Sequence, residues 1–309
     1  MSIRRQPLAR ALLRRSAAIF DASLAWLMLA VVRAIRLTDR RRAADFAGWF
    51  MRKLGPWLPE HRIGRANLTA AFPEKPPAEI EQILAGVWDN LGRVVAEFAH
   101  LDRLLIGDPF HLPHFEFEPA MAERYNRIRD DGKPALIFAA HLANWELPAI
   151  VAHAWGIEAL TLYRRPNVGA VADAVIAIRQ GSMGTLVPTE SNAPIRLARA
   201  LEENRHVGML VDQHYVKGVD VSFFGRRCRA NPLLATLARH VECPIHGVRI
   251  IRLPGGRFRG EISEAVAPVR DAAGRIDVAG TTQAITTVIE GWVREHPEQW
   301  LWLHRRWRD

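Results

Sequence analysis

The stretch 134–146 reads Pro-Ala-Leu-Ile-Phe-Ala-Ala-His-Leu-Ala-Asn-Trp-Glu and gives the clearest indication of the class of fold. Its first half is a short apolar run, which is typical of a buried strand. A histidine, His141, stands at the end of that run, and segment 142–155 has helical composition. In open α/β sheets, ligand sites lie at the carboxyl ends of the strands. The stretch therefore predicts a sheet strand with a functional site at its end.

The spacing of His141 and Glu146 restricts how the two side chains can meet. Five residues turn a regular helix by about 500°, which leaves the two side chains about 140° apart. They can meet only if His141 lies in the turn before the helix and Glu146 in the first helical turns. Glu146 would then hold one ring nitrogen, while the other removes a proton from a substrate hydroxyl. The alternative is a structural histidine whose ring satisfies a backbone group.

Two other kinds of catalytic site are absent from the sequence patterns. The pair is not part of a His-Glu-x-x-His motif, so a second zinc ligand is missing. No Gly-x-Ser-x-Gly elbow supplies a serine nucleophile, and segment 181–184 does not match it. His111 and His114 are interpreted as loop residues. We therefore predict no metal site, and these patterns alone leave both the catalytic and the structural interpretation of His141 open.

The second half of the chain alternates between short β-like runs and segments of helical composition. This alternation is typical of a layered α/β sheet with several parallel strands. Pro254-Gly255-Gly256 separates two more β-like runs and predicts a hairpin. We predict a central mixed, largely parallel sheet with helices on both faces. The predicted strands are 135–140, 159–163, 185–188, 207–211, 245–253 and 257–264, and the helices are 142–155, 168–181, 192–204 and 280–295.

The first part of the chain is expected to be helical. Apolar residues recur at helical spacing from 79 to about 105, and shorter helices are predicted at 39–55 and 62–72. Residues 109–119 are expected to form a loop. We predict an anchor helix over 1–37 and a single α/β domain over 38–309. Within that domain, 38–132 is mainly helical and 133–309 holds the sheet core.

The N-terminal segment combines arginines with an apolar run over 17–32, which Asp21 interrupts. A membrane span needs about 20 apolar residues, so this run is short. No small-residue cleavage site follows it, which argues against secretion. Basic residues on both flanks suit a helix that lies among anionic headgroups. A retained membrane anchor is predicted. An interfacial helix is favoured, and a spanning helix and an ordinary core helix are the alternatives.

The charge balance predicts an anionic partner. Lys and Arg number 42 against 33 Asp and Glu, which gives a net charge of +9, and nearly all the positive charge is arginine. Arginine favours bidentate binding of phosphate and carboxylate, so acidic lipid, nucleic acid and an acidic carrier protein are all candidates. No recognised nucleic-acid-binding motif occurs, and we predict no nucleic-acid partner. Two cysteines are too few for a disulfide framework.

The motif His-x-x-x-x-Glu at 141–146 resembles that of the lipid A biosynthesis lauroyl/myristoyl acyltransferases, the late acyltransferases of bacterial lipopolysaccharide assembly. The resemblance covers nearly the whole chain. Two departures occur: Tyr163 is followed by two arginines, which leaves the family-equivalent one open, and the carboxylate is Glu where wider glycerolipid acyltransferases carry Asp. The other matching segments are 90–93, 97–98, 163–167, Arg179, 212–214, 223–225 and 296–307.

The resemblance implies an enzyme at the cytoplasmic side of the bacterial inner membrane. Such an enzyme moves a fatty acyl chain from an acyl carrier protein thioester to a hydroxyl of a sugar-based, anionic lipid A precursor, without a cofactor. His141 would be the general base and Glu146 would orient it. We assign Arg164, Arg165 and Arg179, which bracket a predicted helix between two strands, to the acceptor's phosphates or the oxyanion. The resemblance implies that Asp212 belongs to the site, where it would help to fix an arginine or the acceptor, and Gln213 is assigned to substrate binding.

Two alternative functions remain open at the level of the sequence. The same chemistry would serve a lysophospholipid or another glycolipid as acceptor, because the site does not depend on what carries the hydroxyl. A basic protein that binds anionic membranes without catalysis would explain the net charge of +9. It would not explain a histidine and a carboxylate at a strand end.

Overall fold

The computed structural model describes residues 23, 26–27, 29–103, 112–164 and 169–308, with the backbone only for 169–174. Residues 29–36 are helical. The helices that follow in the described residues carry proline in the first turn or a capping aspartate in most cases, as helix starts commonly do. They are α1 (Arg40–Leu54), α2 (Pro59–Ala71), α3 (Pro77–Phe98), α4 (Pro119–Asp130), α5 (Leu147–Ala154), α6 (Gly169–Gln180), α7 (Ala193–Glu202), α8 (Leu233–His240) and α9 (Val278–Glu295).

A seven-stranded sheet forms the centre of the molecule, in the order β1-β9-β8-β2-β5-β3-β4. All neighbouring strands are parallel except β8 and β9, which form the predicted hairpin. The prediction of a mixed, largely parallel sheet is confirmed. The strands are β1 (Phe115–Phe117), β2 (Leu136–Ala139), β3 (Ala159–Tyr163), β4 (Thr185–Pro188), β5 (His206–Leu210), β8 (Ile245–Leu253) and β9 (Arg257–Ile262).

Helices cover both faces of this sheet. Successive side chains of a strand point to opposite faces. In β2, Leu136 and Phe138 are buried in the core that includes α8 and α9. Ile137, between them, packs against the second core, which includes α4 and α5. Burial on both faces explains why β2 is a continuous apolar run rather than an alternating one.

Several details of the predicted elements are wrong. β1 lies within the predicted loop 109–119, because three residues are too few to show a periodicity, and it pairs with β9. A separate hairpin of β6 (Val219–Phe223) and β7 (Arg226–Ala230) was not predicted. Its turn has two residues at positive φ, Phe224 and Gly225, without the Asn-Gly signature that such turns usually show. The helix predicted over 79–105 ends earlier, at Phe98.

α1 lies close against α3. The contact involves Gly48 of α1 and Gly92 of α3, and a Cβ atom at Gly92 would overlap the backbone carbonyl of Ala47. This close approach requires glycine and buries the small face of α1. The predicted anchor lies mostly outside the described residues. Within the described part of the chain, no helix combines the length and the apolar character that crossing a bilayer requires. The domain boundary at residue 37 stays a prediction.

Candidate active site

His141 and Asp212 meet at the carboxyl edge of the sheet. β2 and β5 are parallel neighbours whose last residues, Ala139 and Leu210, are in register. Each strand therefore delivers the residue two positions later to the same place. Nδ1 of His141 lies 2.8 Å from Oδ1 of Asp212. The backbone N–H of His141 donates to the other carboxylate oxygen at 2.9 Å. The carboxylate thus fixes both the ring and the backbone of His141.

Glu146 does not contact His141, which corrects the predicted pair. The carboxylate of Glu146 accepts two hydrogen bonds from Arg179, one from Nε at 2.9 Å and one from Nη2. The reason lies in the backbone between the two residues. His141 lies in a turn as predicted, but Ala143 has a φ of 47° and α5 begins only at Leu147. Glu146 is consequently the residue before the helix, and its side chain points to the last turn of α6.

The electrostatics of the site favour an ionised Asp212. Its side chain is 1% exposed. Burial alone would raise the pKa of this carboxyl group, but the neighbouring His141 and its hydrogen bonds hold the pKa well below the ordinary value. A third donor, Nε1 of Trp300, lies 2.7 Å from Oδ2. An ionised aspartate at Nδ1 selects the imidazole tautomer whose Nε2 carries a lone pair.

Nε2 of His141 faces the open side of the site. The side-chain amide of Gln213 lies 3.2 Å from it and is placed to donate a hydrogen bond. The ring of Trp145 lies 5.3 Å from the imidazole, between ring centroids. The histidine side chain is 15% exposed. Among the described residues this second nitrogen has no charged hydrogen-bond partner, and it is accessible from the adjoining cavity, as a general base must be.

A buried polar network supports the turn that carries His141. Glu97, 1% exposed, accepts hydrogen bonds from Arg252 at 2.5 Å and 3.0 Å and from Asn144 at 2.9 Å. Asn90 donates to the carbonyls of Ala143 and Gln299, both at 3.2 Å. Arg252 also donates to Asn90 at 2.9 Å. These contacts satisfy backbone groups of an irregular turn that no regular structure would satisfy.

The C-terminal segment closes the same turn from the other side. Leu142 and Trp300 form an isolated antiparallel bridge. The N–H of Ala143 donates to the carbonyl of Gln299 at 2.8 Å, and that of Leu301 to the carbonyl of His141 at 3.1 Å. The apolar end of the chain is therefore a structural support of the site.

A cavity of about 910 Å³ adjoins His141. It runs along the sheet face that carries Ile137, under α4 and α5. Its lining there is apolar, and at the strand ends it becomes polar and basic. The apolar part includes Met121, Ile128, Ile137, Ile157, Leu186 and Ile262, and the polar end includes His141, Arg164, Arg179, Gln213, His214 and Lys217.

The other candidate residues are placed as follows. Arg179 and Gln213 line the cavity beside His141. Arg164 lines it too, with an exposed side chain. Arg165 lies outside the described residues, so the choice between the two arginines stays open. No group of three or more potential metal ligands occurs among the described residues, and the absence of a metal stays a prediction.

The sequence analysis included Asp212, which directly follows the predicted strand 207–211, in the site but did not assign it to His141. The signal that could have done so is an aspartate directly after Val211, at the end of a strand parallel to β2. The roles of Trp300, Asn144 and Arg252 had no comparable signal. They depend on contacts between segments that are far apart in the chain.

In this largely parallel α/β sheet a buried aspartate binds a histidine beside a cavity whose lining is mostly apolar, and such a site is suited to a substrate with an apolar part. The family model for bacterial lipid A biosynthesis acyltransferases matches residues 14–309. The chain belongs to this family, as its motifs predicted, and it is an acyltransferase. A non-catalytic protein is thereby excluded. A comparison with curated proteins found no significant match.

Proposed function

We propose that this acyltransferase moves a fatty acyl chain from an acyl carrier protein thioester to a hydroxyl group of a lipid A precursor. The observation that carries the proposal is the position of His141. Its Nδ1 is held by Asp212 at 2.8 Å, and its ring borders an apolar cavity of about 910 Å³. A base and a compartment for a hydrocarbon chain are the two parts that this reaction needs.

His141 acts as the general base in this proposal. The acceptor hydroxyl replaces Gln213 at Nε2 and gives its proton to the imidazole while its oxygen attacks the thioester carbonyl. Asp212 stabilises the imidazolium that forms. The tetrahedral intermediate then collapses, the carbon–sulfur bond breaks, and the imidazolium returns the proton to the thiolate. The products are an ester and a free thiol, and no cofactor takes part.

Arg179 is the proposed partner of the oxyanion. It borders the cavity, and Glu146 holds its guanidinium through two hydrogen bonds. The ring of Phe98 lies 5.7 Å from the guanidinium carbon and restricts it further. A fixed cation at the position of developing negative charge stabilises a transition state without reorganisation. Glu146 is thus proposed as a positioning residue for Arg179, and not for His141.

The acceptor and donor are proposed from charge and from the family. Arg164, Arg165 and Lys217 would bind phosphates of the anionic lipid or of the carrier protein. A lipid acceptor with such a donor places the reaction at the cytoplasmic side of the inner membrane, where the N-terminal segment 1–37 would attach the enzyme. A lysophospholipid or another glycolipid is the second candidate acceptor, because the proton transfer to Nε2 of His141 involves only the hydroxyl group of the acceptor.

Mass spectrometry of lipids from cells that lack the protein tests the acceptor. Loss of one acyl chain from lipid A is the expected result. An unchanged lipid A with a changed phospholipid or glycolipid would favour the second acceptor. Complementation with a His141→Ala variant serves as the control. Restoration of the lipid by that variant would contradict the assignment of His141 as the general base.

A further inference from the structure

The outer face of α1 is aromatic. Phe46, Trp49 and Phe50 are 63%, 49% and 46% exposed. Their rings contact one another, with centroids 5.8 Å apart for Phe46 and Trp49 and 6.3 Å apart for Phe46 and Phe50. Trp57, in the short 3-10 turn that follows the helix, is 86% exposed. We call Phe46, Trp49, Phe50 and Trp57 the aromatic face.

The orientation of α1 is the reverse of what a helix on the surface of a soluble domain usually shows. Its buried residues are Ala44 and Gly48, which lie against α3. An amphipathic helix normally buries its large apolar side chains and exposes polar ones. Here the close packing on α3 requires small residues inside, so the large rings have no room there and point outward. The exposed rings therefore need an apolar environment outside the described fold.

Basic side chains border the aromatic face. At 100° per residue, Arg42 and Lys53 lie within about 40° of Phe46 around the helix axis. Both are exposed. Asp45, the acidic residue of the helix, also borders the rings and is paired with Arg93 at 2.5 Å. The helix carries five basic residues against this one acidic residue, so the face combines large rings with a net positive charge.

We propose that the aromatic face of α1 docks on the surface of an anionic lipid bilayer. Trp and Phe rings enter the boundary between headgroups and acyl chains, and Arg42 and Lys53 contact lipid phosphates. Tryptophan beside basic residues is the composition that membrane interfaces favour. The proposal rests on the proposed membrane location of the enzyme. It adds a second attachment surface, distinct from the segment 1–37, which orients the folded domain on the bilayer.

Site-specific labelling of the full-length chain tests the contact directly. An environment-sensitive fluorophore is attached at position 50 through a Phe50→Cys substitution in a Cys228→Ser/Cys243→Ser background. Vesicles of phosphatidylethanolamine and phosphatidylglycerol should shift its emission to shorter wavelength, and lipids brominated in the acyl chains should quench it. The same label at the exposed Arg239, as Arg239→Cys, is the control and should not respond. An unshifted emission at position 50 would overturn the proposal, even if other segments bind the vesicles.

Vesicle binding by surface variants tests how much the aromatic face and the basic side chains beside it contribute to membrane affinity. Phe46→Ser/Trp49→Ser/Phe50→Ser should weaken binding of the full-length chain to these vesicles by at least about tenfold, since three large apolar side chains no longer leave water. Arg42→Glu/Lys53→Glu should weaken it on anionic vesicles but not on phosphatidylcholine. Lys133→Glu/Arg239→Glu, with the same change of charge at exposed positions elsewhere, should have a smaller effect. Equal effects of the two charge variants would contradict docking through α1.

Acyl transfer in detergent separates this proposal from the proposed function. The triple serine variant should keep wild-type transfer to a detergent-solubilised acceptor and an unchanged melting temperature. An inactive wild type in that assay would count against the proposed function alone. A wild type that forms a dimer in solution while the triple variant is monomeric, with equal vesicle binding, would assign the aromatic face to self-association and overturn membrane docking.

Discussion

Nδ1 of His141 lies 2.8 Å from Oδ1 of Asp212, although the two residues are 71 positions apart in the chain. Two parallel neighbouring strands end side by side and bring them together. In the proposed mechanism this pair replaces the local histidine–glutamate pair as the part of the site that transfers the proton. The contacts form two separate pairs, His141 with Asp212 and Arg179 with Glu146, and the proposed function gives each pair a different task.

The first prediction concerns Asp212. Asp212→Asn keeps the shape of the side chain but removes the charge that stabilises the imidazolium and selects the tautomer. We expect kcat to fall by about 10²–10⁴-fold, with little change in KM. Steady-state kinetics with a solubilised acceptor measure this. Asp220→Asn, at an exposed aspartate paired with Arg227, is the matched control and should retain full activity. A fully active Asp212→Asn enzyme would show that the pair is only structural.

The second prediction separates the two roles considered for Glu146. Glu146→Gln and Arg179→Gln should each lower kcat by about 10²–10³-fold, and the double variant should lose little more, because the two side chains act as a unit. The pH dependence of kcat/KM should stay as in the wild type for Glu146→Gln. If Glu146 acted on His141 instead, its removal would move the limb of the pH profile that reports the base.

The third prediction concerns the depth of the cavity. Gly208 lies in β5 beside Ile137 and Thr161, two residues or about 7 Å before Leu210 at the strand end. A Cβ atom there would meet only Oγ1 of Thr161, at 4.0 Å. Gly208→Leu should therefore fold and fill part of the cavity.

We expect Gly208→Leu to lower the rate with long acyl donors by at least about tenfold relative to short ones. Competition between acyl chains of different length measures this ratio. Gly291→Leu is the control, since a Cβ atom at Gly291 in α9 meets nothing within 4 Å. An equal loss for all chain lengths would indicate that the acyl chain does not pass Gly208.

The fourth prediction concerns the buried network under the turn. Glu97→Gln leaves the guanidinium of Arg252 buried without its carboxylate, which should lower the free energy of unfolding by about 3–5 kcal/mol. Thermal and urea unfolding measure this loss. The control is Glu242→Gln, which removes the partner of Arg270 at the surface and should leave the melting temperature unchanged. Equal stability of both variants would contradict a supporting role for Glu97.

The fifth prediction concerns the stability of the protein in acid. Burial lowers the pKa of His304 to about 4. The charge of Asp212 opposes this shift, and that of His141 adds to it. Since the unfolded histidine titrates near 6.5, the unfolded state takes up the proton first as the pH falls. The contribution of His304 to stability is complete above about pH 6.5 and is lost between about pH 6.5 and 4.

His304→Asn should therefore reduce the loss of unfolding free energy across this range by about 2–3 kcal/mol. Asparagine can still donate to the carbonyl of Leu301, which Nδ1 of His304 contacts at 2.7 Å. Urea unfolding at several pH values measures the difference. His240→Asn, at an exposed histidine, is the control. A His304→Asn variant with the same acid sensitivity as the wild type would show that His304 does not cause the loss of stability in acid.

The elements that could be predicted are those whose signal is local. The runs that form β2, β3, β4 and β5 are apolar because the sheet is covered on both faces, and the hairpin of β8 and β9 has a proline–glycine turn between its strands. The β6–β7 hairpin was missed because its turn at Phe224 and Gly225 has an unusual composition. The start of α5 was placed too early because Ala143 adopts a positive φ, which is rare for alanine and which the sequence therefore does not indicate.

Local sequence patterns were sufficient to predict the class of fold, the position of His141 at a strand end, the family and several charged residues of the site. These predictions follow from periodicity and from motifs within short stretches. The pairing of the charged residues became visible only in the folded arrangement. Asp212 holds His141, Arg179 holds Glu146, and the segment with Trp300 closes the turn. The physical reason is that hydrogen bonds between groups 33 to 88 residues apart depend on strand order and on the path of an irregular turn, which no local pattern records.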